Sequence, residues 1–142
     1  MSSSVLSGKL LSKQGELEYD SITAPVLCVY FSAHWCPPCR NFTPKLAALY
    51  NNWNKNQKRV EIIFSSSDND QTSFQEYFNS MPWLALPLGD PRSSALEEMC
   101  DVQGIPMLVM IGRDGSVLYP DVRDLIEDTG EDALATLESL LA

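Results

Sequence analysis

The feature that most restricts this chain's fold is an unbroken apolar run, Pro25-Val26-Leu27-Cys28-Val29-Tyr30-Phe31, that ends just before Cys36-Pro37-Pro38-Cys39. A strand with one face in water alternates polar and apolar residues. This one does not alternate, so it belongs inside a sheet covered on both faces. From Pro37 the period changes. Phe42, Leu46, Leu49, Tyr50 and Trp53 form the stripe of an amphipathic helix, which ends near Asn54-Lys55-Asn56.

Lys9 to Glu18 reads as a short hairpin turning near Gln14-Gly15, and Val60 to Phe64 as a second core strand. Asp68 or Asp70 can cap a helix carrying Phe74, Tyr77 and Phe78, which Met81-Pro82 stops. Pro91 to Val102 reads as another helix with Pro91 in its first turn. Met107 to Ile111 and Val117 to Tyr119 flank Gly112-Arg113-Asp114-Gly115, whose Asp-Gly step marks a hairpin. Glu131 to Leu141 closes the chain as an amphipathic helix. Helices alternating with core strands predict an α/β fold in which a parallel or mixed sheet is flanked by helices on both faces. The expectation is one domain over residues 1–142, with no repeat and no linker. A chain of this length buries enough surface to fold without disulfide staples or a structural metal.

Charge narrows the partners. Nineteen Asp and Glu against ten Lys and Arg leave −9, and such a surface repels phosphate backbones and anionic lipids, so no nucleic acid and no membrane is expected as a partner. The acids crowd the end of the chain, from Asp121 and Asp124 to Glu138, as on a solubilising helix face or a surface for basic partners. The first residues lack the basic and apolar regions of a secretory leader, and no apolar run is long enough to span a bilayer. A reducing compartment, the cytoplasm or the nucleus, is therefore expected, and there a close cysteine pair means catalysis or metal.

Cys36 and Cys39 lie where a buried strand runs into a helix. Free N–H groups at a helix N-terminus stabilise an anion, so a thiolate there is favoured. Two intervening residues bring Cys39 back to Cys36 over the first turn. Pro37 and Pro38 suit that turn, whose N–H groups have no intrahelical partners, and they stiffen it. The expected chemistry is thiol–disulfide exchange. Cys36 attacks a substrate disulfide, and Cys39 resolves the mixed disulfide, with no cofactor. The alternative is half of a zinc site. Its remaining ligands would have to come from Cys28, Cys100 and His34, the only histidine. Ile105-Pro106 is a second signal. A proline opening a core strand suggests a special turn, and a cis bond there would free the Ile105 backbone to pair with an extended substrate strand.

The segments Phe31-Ser32-Ala33-His34-Trp35-Cys36-Pro37-Pro38-Cys39-Arg40, Phe42-Thr43-Pro44, Met81-Pro82-Trp83-Leu84-Ala85-Leu86-Pro87 and Gly104-Ile105-Pro106 resemble the tryparedoxin/nucleoredoxin branch of the thioredoxin superfamily. The resemblance runs from about Val26 to Gly115. His34 matches the nucleoredoxin side better. What it implies is a thioredoxin-like fold with an N-terminal β-hairpin, a cis Pro106, Cys36 as nucleophile and Cys39 as resolver. It also implies a substrate-facing surface of Trp35, Ile105 and, in the groove, Arg123, beside Pro37, Pro38 and Pro106. The implied partners are disulfide-containing client proteins, peroxiredoxins among them, and an upstream dithiol or thioredoxin reductase-type reductant. A redox-sensing adaptor that binds partners according to the Cys36–Cys39 state is the competing function.

Some positions depart from typical thioredoxins or from the trypanosomatid tryparedoxins, although Tyr30 matches the tryparedoxin branch. Tyr30 stands where thioredoxins carry a buried Asp that serves the resolving cysteine, which leaves Asp68 as the candidate acceptor. Ser67 stands where trypanosomatid tryparedoxins carry a tryptophan, which argues against trypanothione as donor. Cys28 and Cys100 read as buried and inert, with regulatory oxidation the alternative for Cys100, and Trp83 reads as a packing anchor. His34 either tunes the Cys36 thiolate or does little.

Overall fold

The computed structural model describes residues 5–141. Its strands are β1 (Lys9–Ser12), β2 (Gly15–Glu18), β3 (Val26–Ser32), β4 (Val60–Ser66), β5 (Leu84–Ala85), β6 (Met107–Ile111) and β7 (Val117–Tyr119). Its helices are α1 (Pro37–Trp53), α2 (Gln71–Phe78), α3 (Pro91–Met99), α4 (Val122–Thr129) and α5 (Ala133–Ser139). The strands form one mixed sheet in the order β2-β1-β5-β4-β3-β6-β7. At its centre β3 runs parallel to β4, with Tyr30 opposite Phe64, and antiparallel to β6, with Tyr30 opposite Leu108.

All seven residues of β3 are buried, as its uninterrupted apolar sequence requires. Because successive side chains of a strand point to opposite faces, β3 feeds two cores. Val26, Cys28 and Tyr30 pack with Phe42, Leu46, Tyr50 and Trp53 of α1. Leu27, Val29 and Phe31 pack with Leu6, Leu10 and Leu96 on the other side. Each such aliphatic or aromatic side chain contributes roughly 1.5–3 kcal/mol through burial. Trp83 is an anchor of the first core, edge-on to Tyr30 (ring centroids 5.8 Å apart) and Tyr50 (5.6 Å).

The α/β class, the flanking helices and the N-terminal hairpin agree with the sequence reading. Two elements were not anticipated. β5 is two residues between Pro82 and Pro87, and it exists because β1 and β4 pair with it from either side. α4 lies in the acidic stretch read as solvated. It is capped by Asp121, whose carboxylate accepts from the Asp124 amide, and it buries Val122 and Ile126 one turn apart. α3 stops at Met99 rather than Val102, with Cys100 as its C-cap. The closing helix is shorter than expected and follows a 3-10 turn at Gly130–Asp132. Among the described residues no helix is long and apolar enough to cross a membrane.

Candidate active site

β3 delivers the chain to the site and α1 carries it away. Between them, Cys36 is the N-cap residue of α1 in extended conformation, and its amide donates to the Ala33 carbonyl at 3.2 Å. Pro37 and Pro38 fill the first turn and are exposed. The turn brings the Cα atoms of Cys36 and Cys39 to 5.2 Å, and the two sulfurs are joined in a disulfide. Cys36 Sγ also accepts from the Cys39 amide at 3.4 Å. This is one of the orphan N–H groups of a helix start, directed at the sulfur that would carry negative charge once the disulfide opens. Both sulfurs are in buried residues, Cys36 at 4% exposure and Cys39 at none.

The Ile105–Pro106 peptide bond is cis. It holds the Ile105 carbonyl 3.9 Å from Cys36 Sγ, within reach of a Cys36 thiol proton. A groove of about 380 Å³ runs along Ile105 and Pro106 to Arg123. Arg123 donates from Nη1 to the Pro106 carbonyl at 3.5 Å and lies over the Phe42 ring. Trp35, next to Cys36 in the chain, is 57% exposed although its indole N–H donates to the Ser67 carbonyl at 3.0 Å. The structure thus gathers Trp35, Cys36, Cys39, Ile105, Pro106 and Arg123 around one disulfide.

Asp68, the candidate acceptor for Cys39, is held just past β4. Its carboxylate accepts from the His34 amide (2.8 Å) and from Ser66 Oγ (2.7 Å), which clamps the loop before Trp35 to the end of β4. Tyr30, where a thioredoxin has its acid, joins a buried chain of hydroxyls. Tyr30 Oη lies 2.7 Å from Thr43 Oγ1, Tyr77 Oη 2.6 Å from Thr43 Oγ1, and Ser32 Oγ 2.7 Å from Tyr77 Oη. Thr43 Oγ1 in turn donates to the Cys39 carbonyl at 2.9 Å. Burial holds the Tyr30 phenol well above its ordinary value, so it stays protonated. His34 stacks on Tyr77 with ring centroids 5.4 Å apart. Ser32, Thr43 and Tyr77 were not singled out from sequence as site residues. They come from three elements: Ser32 lies in the Phe31–Arg40 segment and Thr43 in Phe42-Thr43-Pro44, whereas Tyr77 reads from sequence only as an apolar position of α2.

The other cysteines are unlike the pair. Cys28 is 1% exposed in mid-strand, and burial pushes its thiol up to about 12. Cys100 is 6% exposed, and burial pushes its thiol up to about 11. Among the described residues, no three His, Cys, Asp or Glu side chains cluster closely enough to share a metal.

The thioredoxin-like family model matches residues 25–117. Probable nucleoredoxin 1 of Arabidopsis thaliana is 44% identical over 145 residues, which cover 99% of this chain and 25% of that protein. Tryparedoxin of Trypanosoma brucei brucei is 42% identical over 123 residues, covering 84% of each. The solved tryparedoxin from Trypanosoma brucei superposes with a TM-score of 0.81 at 35% identity, over 89% of this chain and 88% of that one. The chain spans about a quarter to a third of the nucleoredoxins it matches. With the sheet order, the cis-Pro106 and the helix-capping cysteine pair already in place, these matches establish that the chain belongs to the thioredoxin-like family, on its tryparedoxin and nucleoredoxin branch.

Proposed function

We propose that this chain is a thiol–disulfide oxidoreductase that reduces protein disulfides through Cys36 and Cys39. The observation that carries the reading is the Cys36 sulfur. It caps α1, faces the Cys39 amide at 3.4 Å, and lies 3.9 Å from the Ile105 carbonyl beside cis-Pro106.

In the dithiol form, the Cys36 thiolate attacks one sulfur of a client disulfide. A Cys36–client bond forms, and the client's other sulfur leaves and takes up a proton. Cys39 then loses its proton and attacks Cys36 Sγ. The Cys36–Cys39 bond forms, and the client departs with its second thiol. The client has gained two electrons and two protons, and the pair has lost them. Ile105 offers backbone groups to an extended client strand. Trp35, Pro37, Pro38 and Pro106 supply the apolar floor around the sulfur, and Arg123 holds the far end of the groove. Clients are disulfide-bearing proteins, peroxiredoxins among them, and an upstream dithiol or thioredoxin reductase-type enzyme restores the pair in the cytoplasm or nucleus.

Dithiothreitol-driven reduction of insulin tests the activity. The chain is expected to accelerate it, and Cys36→Ser to abolish the acceleration; full activity in Cys36→Ser overturns the assignment. Cys39→Ser is expected to retain clients covalently on Cys36, released only by reductant.

A further inference from the structure

We propose that Tyr77 is a positioning residue for the Cys36–Cys39 pair: through Ser32 and Thr43 it ties together the two arms of the active-site turn and so favours the disulfide over the open dithiol. The inference rests on the disulfide chemistry proposed above. Tyr77 comes from α2, outside the strand–turn–helix unit that carries the cysteines, and is 4% exposed. Its hydroxyl touches Ser32 Oγ at the end of β3 (2.7 Å) and Thr43 Oγ1 in α1 (2.6 Å). Its ring stacks on His34, in the loop between those two elements.

One arrangement of the protons satisfies all three contacts of the Thr43 hydroxyl. Thr43 Oγ1 has a single proton and three oxygen neighbours: the Cys39 carbonyl (2.9 Å), Tyr30 Oη (2.7 Å) and Tyr77 Oη (2.6 Å). A carbonyl can only accept, so the Thr43 proton goes to Cys39, and both tyrosines must donate to Thr43. Tyr77, having donated its only proton, accepts from Ser32, which is fully buried. A directed line of hydrogen bonds therefore runs from the end of β3 through α2 to the carbonyl of the resolving cysteine.

The turn needs such a tie. Pro37 and Pro38 have no N–H groups with which to anchor it. Among the described residues, backbone groups of the turn bond from the Cys36 amide to Ala33, from the Arg40 amide to the Cys36 carbonyl, from the Cys39 amide to Cys36 Sγ and from the His34 amide to Asp68, and none of these ties β3 to α1 through α2. When the disulfide opens, whatever still holds Cys39 near Cys36 reduces the conformational freedom that closing the bond must remove. The hydroxyl line does this without a charge.

The test is the equilibrium of the dithiol with oxidised glutathione, giving protein disulfide and two molecules of reduced glutathione, read by mass spectrometry after thiol alkylation. Tyr77→Phe keeps the ring and removes the link. It is expected to lower the constant for disulfide formation about three- to tenfold, the range of one or two net hydrogen bonds. Thr43→Val should shift it the same way, and Thr43→Ser, which keeps the hydroxyl, should restore it to within about twofold. The double variant Tyr77→Phe/Thr43→Val should shift it no further than the larger single change, because both cut one line. If Tyr77→Phe does not fold, Ser32→Ala cuts the outer end and carries the same expectation. Constants within twofold of the parent, or raised, overturn the proposal, even if melting temperatures fall, since a purely structural loss weakens both redox forms alike. A parent protein that forms no disulfide in this buffer overturns instead the function on which the inference rests.

Discussion

Cys28 and Cys36 occupy the same core cluster on the same face of the sheet, at 1% and 4% exposure. Burial does not distinguish them, but the backbone around them does. Cys28 lies in the middle of β3, opposite Ile62 of β4 and Met110 of β6, so every neighbouring amide is committed to a ladder. Its sulfur is left among apolar side chains, and the thiol is pushed up to about 12. Cys36 lies where the ladder has ended and α1 has not yet closed its first hydrogen bonds, so the Cys39 amide is free to face its sulfur. Cys100 is a third case: it sits at the C-cap of α3, where carbonyls rather than amides are unpaired, and its thiol is raised to about 11 by burial. The difference between the Cys28 and Cys36 sulfurs lies in the backbone donors that face them, not in exposure.

The sharpest way to break the comparison is selective alkylation of the reduced protein. The thiolate is the reacting form, and at pH 7 a thiol near 12 is ionised to about one part in a hundred thousand. Iodoacetamide at pH 7 is expected to modify Cys36 at least about a thousandfold faster than Cys28. Peptide mass spectrometry over time measures both rates. Similar rates at Cys28 and Cys36 would show that the donors of α1 have no bearing on reactivity.

The contrast also marks what the sequence could reveal. The buried run of β3, the change of period at Pro37 and the cysteine spacing are local, and they announced the central strand, the helix and the sulfur pair. β5 could not be read this way. Leu84-Ala85 between prolines has no period, and only pairing with Leu11 and with Ile63 and Phe64 makes it a strand. α4 was hidden for the opposite reason. Its acids dominate the stretch, although Asp121 four residues before Leu125 and the spacing of Val122 to Ile126 would have permitted a capped helix. The hydroxyl line through Ser32, Tyr77 and Thr43 spans β3, α2 and α1, and no spacing rule brings those residues together. Tyr30 stands out in the sequence, but its partners Thr43 and Tyr77 come together only in three dimensions.

A second, smaller effect sharpens the comparison through stability. The folded protein keeps the Cys28 proton up to about 12, whereas the unfolded chain releases it near 8.5. The stabilisation is complete below the unfolded value and is lost as pH rises towards the folded one, because there the folded state binds more protons than the unfolded. The loss is up to about 1.4 kcal/mol per pH unit for each such thiol. Urea unfolding of the parent between pH 8.5 and 10.5 should show this decline. Cys28→Ala should start lower, by about 1 kcal/mol for the small cavity, and decline less steeply. Equal slopes in parent and variant would mean that Cys28 ionises as readily folded as unfolded.

The smallest effect uses the two ends of α3. Cys100 at its C-cap has its thiol raised; Asp90 at its N-cap has its carboxyl lowered, chiefly by the hydrogen bond from Arg92, whose amide and guanidinium both reach it at 2.8–2.9 Å. Arg92 also donates to the carbonyls of Leu6 and Lys9, so the cap fastens the chain before β1 to the helix. Asn is as good a helix cap as Asp, so Asp90→Asn keeps the cap at Oδ1 but removes the charge and the Oδ2 acceptor of Arg92 Nη2. At pH 7 it should cost about 0.5–1.5 kcal/mol, within the range for a hydrogen bond to a charged group. A depressed carboxyl stabilises above its unfolded value of about 3.9 and loses that contribution as pH falls through the lower folded value. The gap between parent and Asp90→Asn in urea unfolding should therefore narrow as pH drops from 4 towards 2. A gap that stays constant over that range would assign the effect to shape rather than charge. It would also remove the parallel between this cap and the Cys36 sulfur.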